Sequence, residues 1–158
     1  MTKLLFALLA LPLAAQTSDP WKPLEFLIGE WTGEGGGGPG QGSGEFSFRF
    51  DLNRHVLVRK NFAEYPGQER HEDLMIVYLD EAFRRLRAIY FDTEGHTIRY
   101  AVASSGPALV FESEASEPGP RFRLTYTPAG EQVKGKFEIR APGEAQYKAY
   151  LDFSARRK

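Results

Sequence analysis

The sequence predicts an all-β fold: a single antiparallel up-and-down β-barrel of about ten strands, opened by a short N-terminal helical plug. From Glu45 onward apolar and polar residues alternate with period two almost everywhere, as half-buried antiparallel strands do. Turn-forming residues interrupt that alternation at short, regular intervals. No stretch of helical period is long enough for the crossover of a parallel α/β fold. Strands joined by short turns tend to be neighbours, so a meander is the simplest topology, and closing it removes exposed edges. A barrel of this size leaves room for a small ligand, whereas a sandwich of the same strands fills its interior.

Residues 1–15 read as a secretory signal peptide, with Lys3 in a positive n-region, an apolar run from Leu4 to Leu13, and Ala14-Ala15 at the exit. The run is too short to span a bilayer, and no transmembrane segment is expected in the mature chain. Residues 16–23 follow as a linker in which Pro20 and Pro23 impose extended geometry, and residues 24–158 form the barrel domain. The expected location is secreted or periplasmic. The chain lacks cysteine, which excludes lipoprotein attachment, disulfides, thiolate metal sites and cysteine nucleophiles. Its 158 residues suffice for one core, and a formal charge of -1 leaves no footprint for nucleic acid.

Leu24, Phe26, Leu27 and Ile28 form the plug, which turns into the first strand at Gly29 to Trp31. Gly33, Gly35 and Gly38 formally match a dinucleotide-binding fingerprint. The Pro39-Gly40 that follows prevents a helix, so the run from Gly33 to Gly44 is read as a loop at the barrel rim. Phe46, Phe48, Phe50 and Leu52 share one face of the next strand. Residues 55–62 form another, ended by the Tyr65-Pro66-Gly67 turn. Residues 73–79 are too apolar for parity to fix their inward side, and residues 80–85 are read as a loop. The clearest local signal is Asp92-Thr93-Glu94-Gly95, a type I turn closed by a left-handed glycine. It sets Asp92 opposite His96, Tyr90 opposite Ile98, Ala88 opposite Tyr100 and Leu86 opposite Val102. The later strands present Phe111, then Phe122 and Tyr126, then Phe137, then Tyr147, Ala149, Leu151 and Phe153 to the interior.

Candidate chemistry gathers around that hairpin. Tyr90, Asp92, His96 and Tyr100 share a face, and His71 starts a strand at the same end, so His71, Glu72, Asp73, Asp92 and His96 converge at one rim. This group reads as a polar cluster tying turns together or as polar contacts for a ligand. Two histidines at strand starts fall short of the three or four donors a zinc site needs, and no metal is expected. An Asp92-His96 pair is capable of general acid-base work, yet no nucleophile elbow accompanies it. Arg59 is either a buried anchor for an acidic ligand or a solvated strand residue. The aromatic face that includes Phe48, Phe111 and Tyr126 is either packed core or the lining of a cavity whose contents partner the tyrosine hydroxyls.

Gly29-x-Trp31 after a short apolar plug resembles the opening of the calycin barrels, which include the lipocalins and fatty-acid-binding proteins. The resemblance implies structural roles for Gly29 and Trp31, and for Arg156 or Arg157 as the basic residue laid across the indole from the last strand. The strand number, and the run Phe26-Leu27-Ile28-Gly29-Glu30-Trp31-Thr32-Gly33-Glu34-Gly35, are similar to the nitrobindins and related bacterial barrels of unknown function. That resemblance implies a haem held by a histidine near the C-terminal end of the barrel. Here no histidine follows His96, and Tyr147 and Lys148 stand in that neighbourhood, so no haem or other cofactor is expected. Lys148-Ala149-Tyr150 echoes the Arg-x-Tyr with which fatty-acid-binding proteins hold a carboxylate, but parity places Lys148 and Tyr150 outside. The expected function is an exported barrel binding a small hydrophobic or amphipathic molecule in its interior through Tyr90, Asp92, His96, Tyr100, His71, Arg59, Phe48, Phe111 and Tyr126. The alternative is a nitrobindin-like enzyme, either haem-dependent or a haem-free isomerase or hydrolase, in the same cavity. A filled barrel serving as an interaction domain is the third reading.

Overall fold

A computed structural model of the chain describes residues 19–34, 42–115 and 118–158. The expected signal peptide and the central part of the glycine-rich loop lie outside the described residues. A 3₁₀ helix, Lys22–Leu27, precedes ten strands: β1 Gly29–Glu34, β2 Ser43–Asp51, β3 Val56–Glu64, β4 His71–Asp80, β5 Arg85–Asp92, β6 Thr97–Ser105, β7 Ala108–Ser113, β8 Arg121–Ala129, β9 Gln132–Arg140 and β10 Lys148–Arg157. Each strand pairs antiparallel with its chain neighbours, and β1 pairs with β10 to close the barrel. The architecture is consistent with a calycin-like fold. No helix among the described residues is long and apolar enough to cross a membrane.

Alternation along each strand sets what faces inward. Phe46, Phe48, Leu57, Met75, Val77, Ala88, Tyr100, Leu109, Phe111, Tyr126 and Val133 are buried, while their immediate strand neighbours are mostly more exposed. Rings fill the middle of the barrel. The Tyr126 ring lies 5.7 Å from Phe48, 5.8 Å from Phe46, 6.1 Å from Phe111 and 6.2 Å from Phe153, mostly edge to face, which suits the ring quadrupoles. Phe153 occupies the space left by Gly135, where a Cβ would overlap its ring. The expected hollow interior is therefore absent at this level.

The helix, β1 and β10 meet where the barrel closes. Leu24 and Leu27 are fully buried, and Trp21 packs edge-on to Phe50 with ring centroids 5.4 Å apart. Trp31 donates from Nε1 to the Leu27 carbonyl at 2.8 Å. Of the two candidate arginines, Arg157 lies over the Trp31 ring, 4.4 Å from its centroid, and donates to the carbonyls of Phe26 and Ile28. Arg156 instead pairs with Glu34 at 3.0 Å. Gly29 has φ +128°, and a Cβ there would overlap the Arg157 guanidinium, so both conformation and space call for glycine.

One stretch departs from the expected parity. The β9–β10 register shifts between Ala149 and Leu151, so Leu151 faces Phe137 while Lys148 pairs with Ile139. A bulge of this kind inserts one residue and reverses the facing of everything before it. Lys148 thus stands on the inward side of its strand end, and Tyr147 lies outside. There Tyr147 donates to Glu112 at 2.9 Å, beneath Arg123 at 4.2 Å from its ring centroid. Tyr150, at the bulge, is exposed and touches Phe137 edge-on.

Candidate functional site

The end of the barrel formed by the C-termini of β3 and β5 and the N-termini of β4 and β6 carries a connected set of inward-facing polar side chains. The predicted hairpin is present in register: Ala88 pairs with Tyr100 and Tyr90 with Ile98. Gly95, at φ +88°, donates to the Asp92 carbonyl at 3.1 Å, and His96 returns from its backbone N–H to Asp92 Oδ1 at 2.8 Å. His96 Nδ1 lies 2.9 Å from Asp92 Oδ2, with the imidazole exposed and the carboxylate buried. Tyr90 donates to the same Oδ2 at 3.1 Å. Burial opposes the charge on Asp92, yet these bonds hold its pKa below the ordinary carboxylate value.

The register of β4 completes the group. Asp73 stands directly opposite Asp92 on one side and Asn61 on the other. Two carboxylates facing each other across a ladder repel, so each needs its own partners. Asp73 has three. Arg59 forms a buried ion pair with its Oδ1, Asn61 donates to Oδ2 at 2.8 Å, and His71 Nε2 lies 3.3 Å from Oδ2. Arg59 is thus a buried residue, 6% exposed, and burial alone would depress its charge; the Asp73 carboxylate more than offsets that and holds its pKa above the ordinary value. Glu72, expected at this rim, points outward and pairs with Arg70 at 2.9 Å.

His71 bridges two carboxylates, with Nδ1 2.9 Å from Glu94 and Nε2 toward Asp73. Bonding to Asp73 first, and to Glu94 after it, outweighs burial and pushes its pKa up to about 9. The Tyr90 hydroxyl is 3.3 Å from His71 Nε2; burial, reinforced by Asp73 and Asp92, raises its own pKa. A His71 pKa raised in the folded state stabilises in full below the ordinary value of 6.5 and ceases to as pH climbs through about 9. Because the imidazole is 27% exposed, we expect roughly 1–2 kcal/mol of stability to disappear over that window in chelator-treated protein. Urea unfolding at pH 6 and pH 9.5, at roughly the two ends of the window, reads the difference, which His71→Gln should abolish.

The facing wall is apolar. Ile98, Phe122, Phe137 and Phe153 pack against the core yet remain partly accessible, and Phe122 and Phe137 stack with centroids 5.9 Å apart. Phe48, Phe111 and Tyr126 sit beneath as fully buried floor. Burial raises the pKa of both Tyr100 and Tyr126. Two polar atoms in this floor have no hydrogen-bond partner: Arg59 Nε and the Tyr126 hydroxyl, which lies beside the guanidinium without a bond of acceptable geometry. A groove of about 680 Å³ runs along β1–β5, lined by outward residues such as Lys60, Phe62, Leu74 and Phe91 and reaching Asn61, Asp73 and Asp92 of the polar set.

Reading the sequence missed Asn61 and Glu94. Asn61 sits in the β3 alternation on the Arg59 face, a signal that becomes usable only once Arg59 is known to point inward. Glu94 is a turn residue without a strand face. Among the described residues, His71, Asp92 and Glu94 offer ligand atoms within 4.8 Å of one another, a grouping that could hold a metal ion. A histidine-ligated haem does not fit. The wall nearest the C-terminus carries Phe122, Phe137, Leu151 and Phe153, and rings fill the space beneath. No protein-family model matches this chain, and no curated protein matches it either.

Proposed function

We propose that this chain is a small-molecule-binding barrel, exported by its N-terminal signal peptide, that takes a partly apolar ligand at the end where β3, β4 and β5 present their polar residues. Its opening stretch is similar in pattern to that of the nitrobindins, and its donor set favours binding over haem chemistry. The observation that carries this reading is the pair of unpartnered polar atoms, Arg59 Nε and the Tyr126 hydroxyl. A buried donor left unpaired costs about 1–3 kcal/mol, so a ligand oxygen that accepts from both would recover what the free barrel forgoes. A carbonyl or carboxylate on an otherwise apolar molecule matches these two donors below and the rings of Phe122, Phe137 and Phe153 beside them. Phe153, partly exposed and lying on Tyr126, is the ring that turns aside to admit it.

The reading makes an unusual demand on Tyr126→Phe. The hydroxyl has no partner to lose, so stability should stay within about 1 kcal/mol of the parent or rise. Binding of medium-chain carboxylates, followed by displacement of the fluorophore 1-anilinonaphthalene-8-sulfonate, should weaken about tenfold, one hydrogen bond to a charged acceptor. Equal affinity in both proteins would count against Tyr126 as a contact.

A further inference from the structure

We propose that His71, Asp92 and Glu94 form a binding site for a first-row divalent cation of the zinc class at the polar end of the barrel. The proposal goes beyond the organic-ligand reading and does not rest on it. An imidazole with two carboxylates is a nitrogen–oxygen donor set that suits zinc and its neighbours, whereas calcium and magnesium prefer oxygen alone. The three ligand atoms already lie within 4.8 Å of one another, and His71 Nδ1 is 2.9 Å from Glu94. Bonds of roughly 2.0–2.1 Å place neighbouring donors about 3.3 Å apart in a tetrahedral site, so closure asks only for side-chain rotation. Glu94, nearly half exposed, is free to rotate.

A separate feature points to the same use of His71. Metal-bound imidazoles characteristically give their other ring N–H to a carboxylate, which fixes ring and tautomer. With Nδ1, the nitrogen that faces Glu94, as the ligand, Asp73 occupies that place: it is buried, it faces Nε2 at 3.3 Å beside the Tyr90 hydroxyl, and it is itself held by Arg59 and Asn61. Its charge is spoken for by Arg59, so the negative charge available to a cation is that of Glu94 and of Asp92, whose present partners are the Tyr90 hydroxyl and the exposed His96. The turn carrying Glu94 is tied to β4, with Thr93 N–H donating to the Glu72 carbonyl at 3.0 Å and Glu72 N–H to Thr93 Oγ1 at 3.3 Å. The donors therefore sit on backbone that is already in place. Three protein donors leave a coordination position for water or for a ligand atom.

The test uses the full, tag-free chain freed of metal with chelator and titrated with zinc chloride by calorimetry, with cobalt(II) absorption as a report on coordination. One equivalent should bind, with the visible bands of a low-coordinate cobalt site. Glu94→Gln and His71→Gln should each weaken binding by more than about tenfold, and Glu81→Gln, an exposed carboxylate at the opposite end, should leave it unchanged. Glu94→Gln lies in an exposed turn, so an unaltered melting temperature separates loss of a ligand from loss of fold. No stoichiometric binding, or binding that both variants retain, overturns the site. Because no organic molecule enters the titration, its failure leaves the binding-barrel reading standing, and the reverse holds as well.

Discussion

Asp73→Ala is expected to destabilise the barrel by about 3–5 kcal/mol, measured by urea unfolding at neutral pH. The carboxylate removed is buried and is the partner of a buried guanidinium, of Asn61 and of His71. Its loss leaves Arg59 charged inside an aromatic core, with Phe46 5.8 Å away and Phe48 directly across the β2–β3 ladder. The cost is that of a stranded charge and not the net worth of the pair. The double replacement Arg59→Met with Asp73→Leu should therefore be more stable than Asp73→Ala alone, since apolar side chains of similar volume remove both desolvation penalties. A double variant less stable than the single would mean that the pair holds the fold by more than mutual neutralisation. The same double variant removes the donor beneath the proposed ligand, so it should fold and fail to bind.

Trp31→Ala carries the second large effect, again about 3–5 kcal/mol. The indole is 3% exposed, stacks on Phe46 with centroids 6.0 Å apart, and anchors the 3₁₀ helix through the Leu27 carbonyl. It is also the surface on which Arg157 rests. Arg157→Ala should cost less, on the order of 1–2 kcal/mol, because the cation–π contact and two carbonyl contacts are partly exposed. Thermal melts of the two variants separate the contributions. If Arg157→Ala equalled Trp31→Ala, the seam between β1 and β10 would depend on the arginine, with the tryptophan as its support.

Much of this was legible in the residues. The Asp92–Gly95 turn specifies its own geometry, so the pairing of Tyr90 with Ile98 and the return of His96 to Asp92 followed from four residues. The seam at Trp31 was legible through family resemblance, with Arg156 and Arg157 left undecided because one strand position separates inside from outside. What sequence could not supply was register between distant strands. Val56, Val58 and Phe62 make the outward face of β3 look like the core face, so Arg59 and Asn61 could be placed inside only once β4 set Met75 and Asp73 across from them. The bulge near Tyr150 carries no glycine or proline to announce it, and it moved Tyr147 from the expected interior to the surface. The packed middle of the barrel was likewise undecided by composition, since the same rings serve as core or as lining. Their edge-to-face contacts around Tyr126 decide it.

The central claim is that the polar end of this barrel is a binding site with Arg59 and Tyr126 at its floor. The most direct measurement is native mass spectrometry of the parent and Tyr126→Phe proteins purified from the native host. The account predicts a retained small-molecule mass on the parent, diminished on the variant, with the mature chain beginning near Gln16. Bare polypeptide in both, with no displacement of a fluorescent probe by any medium-chain carboxylate, would contradict it.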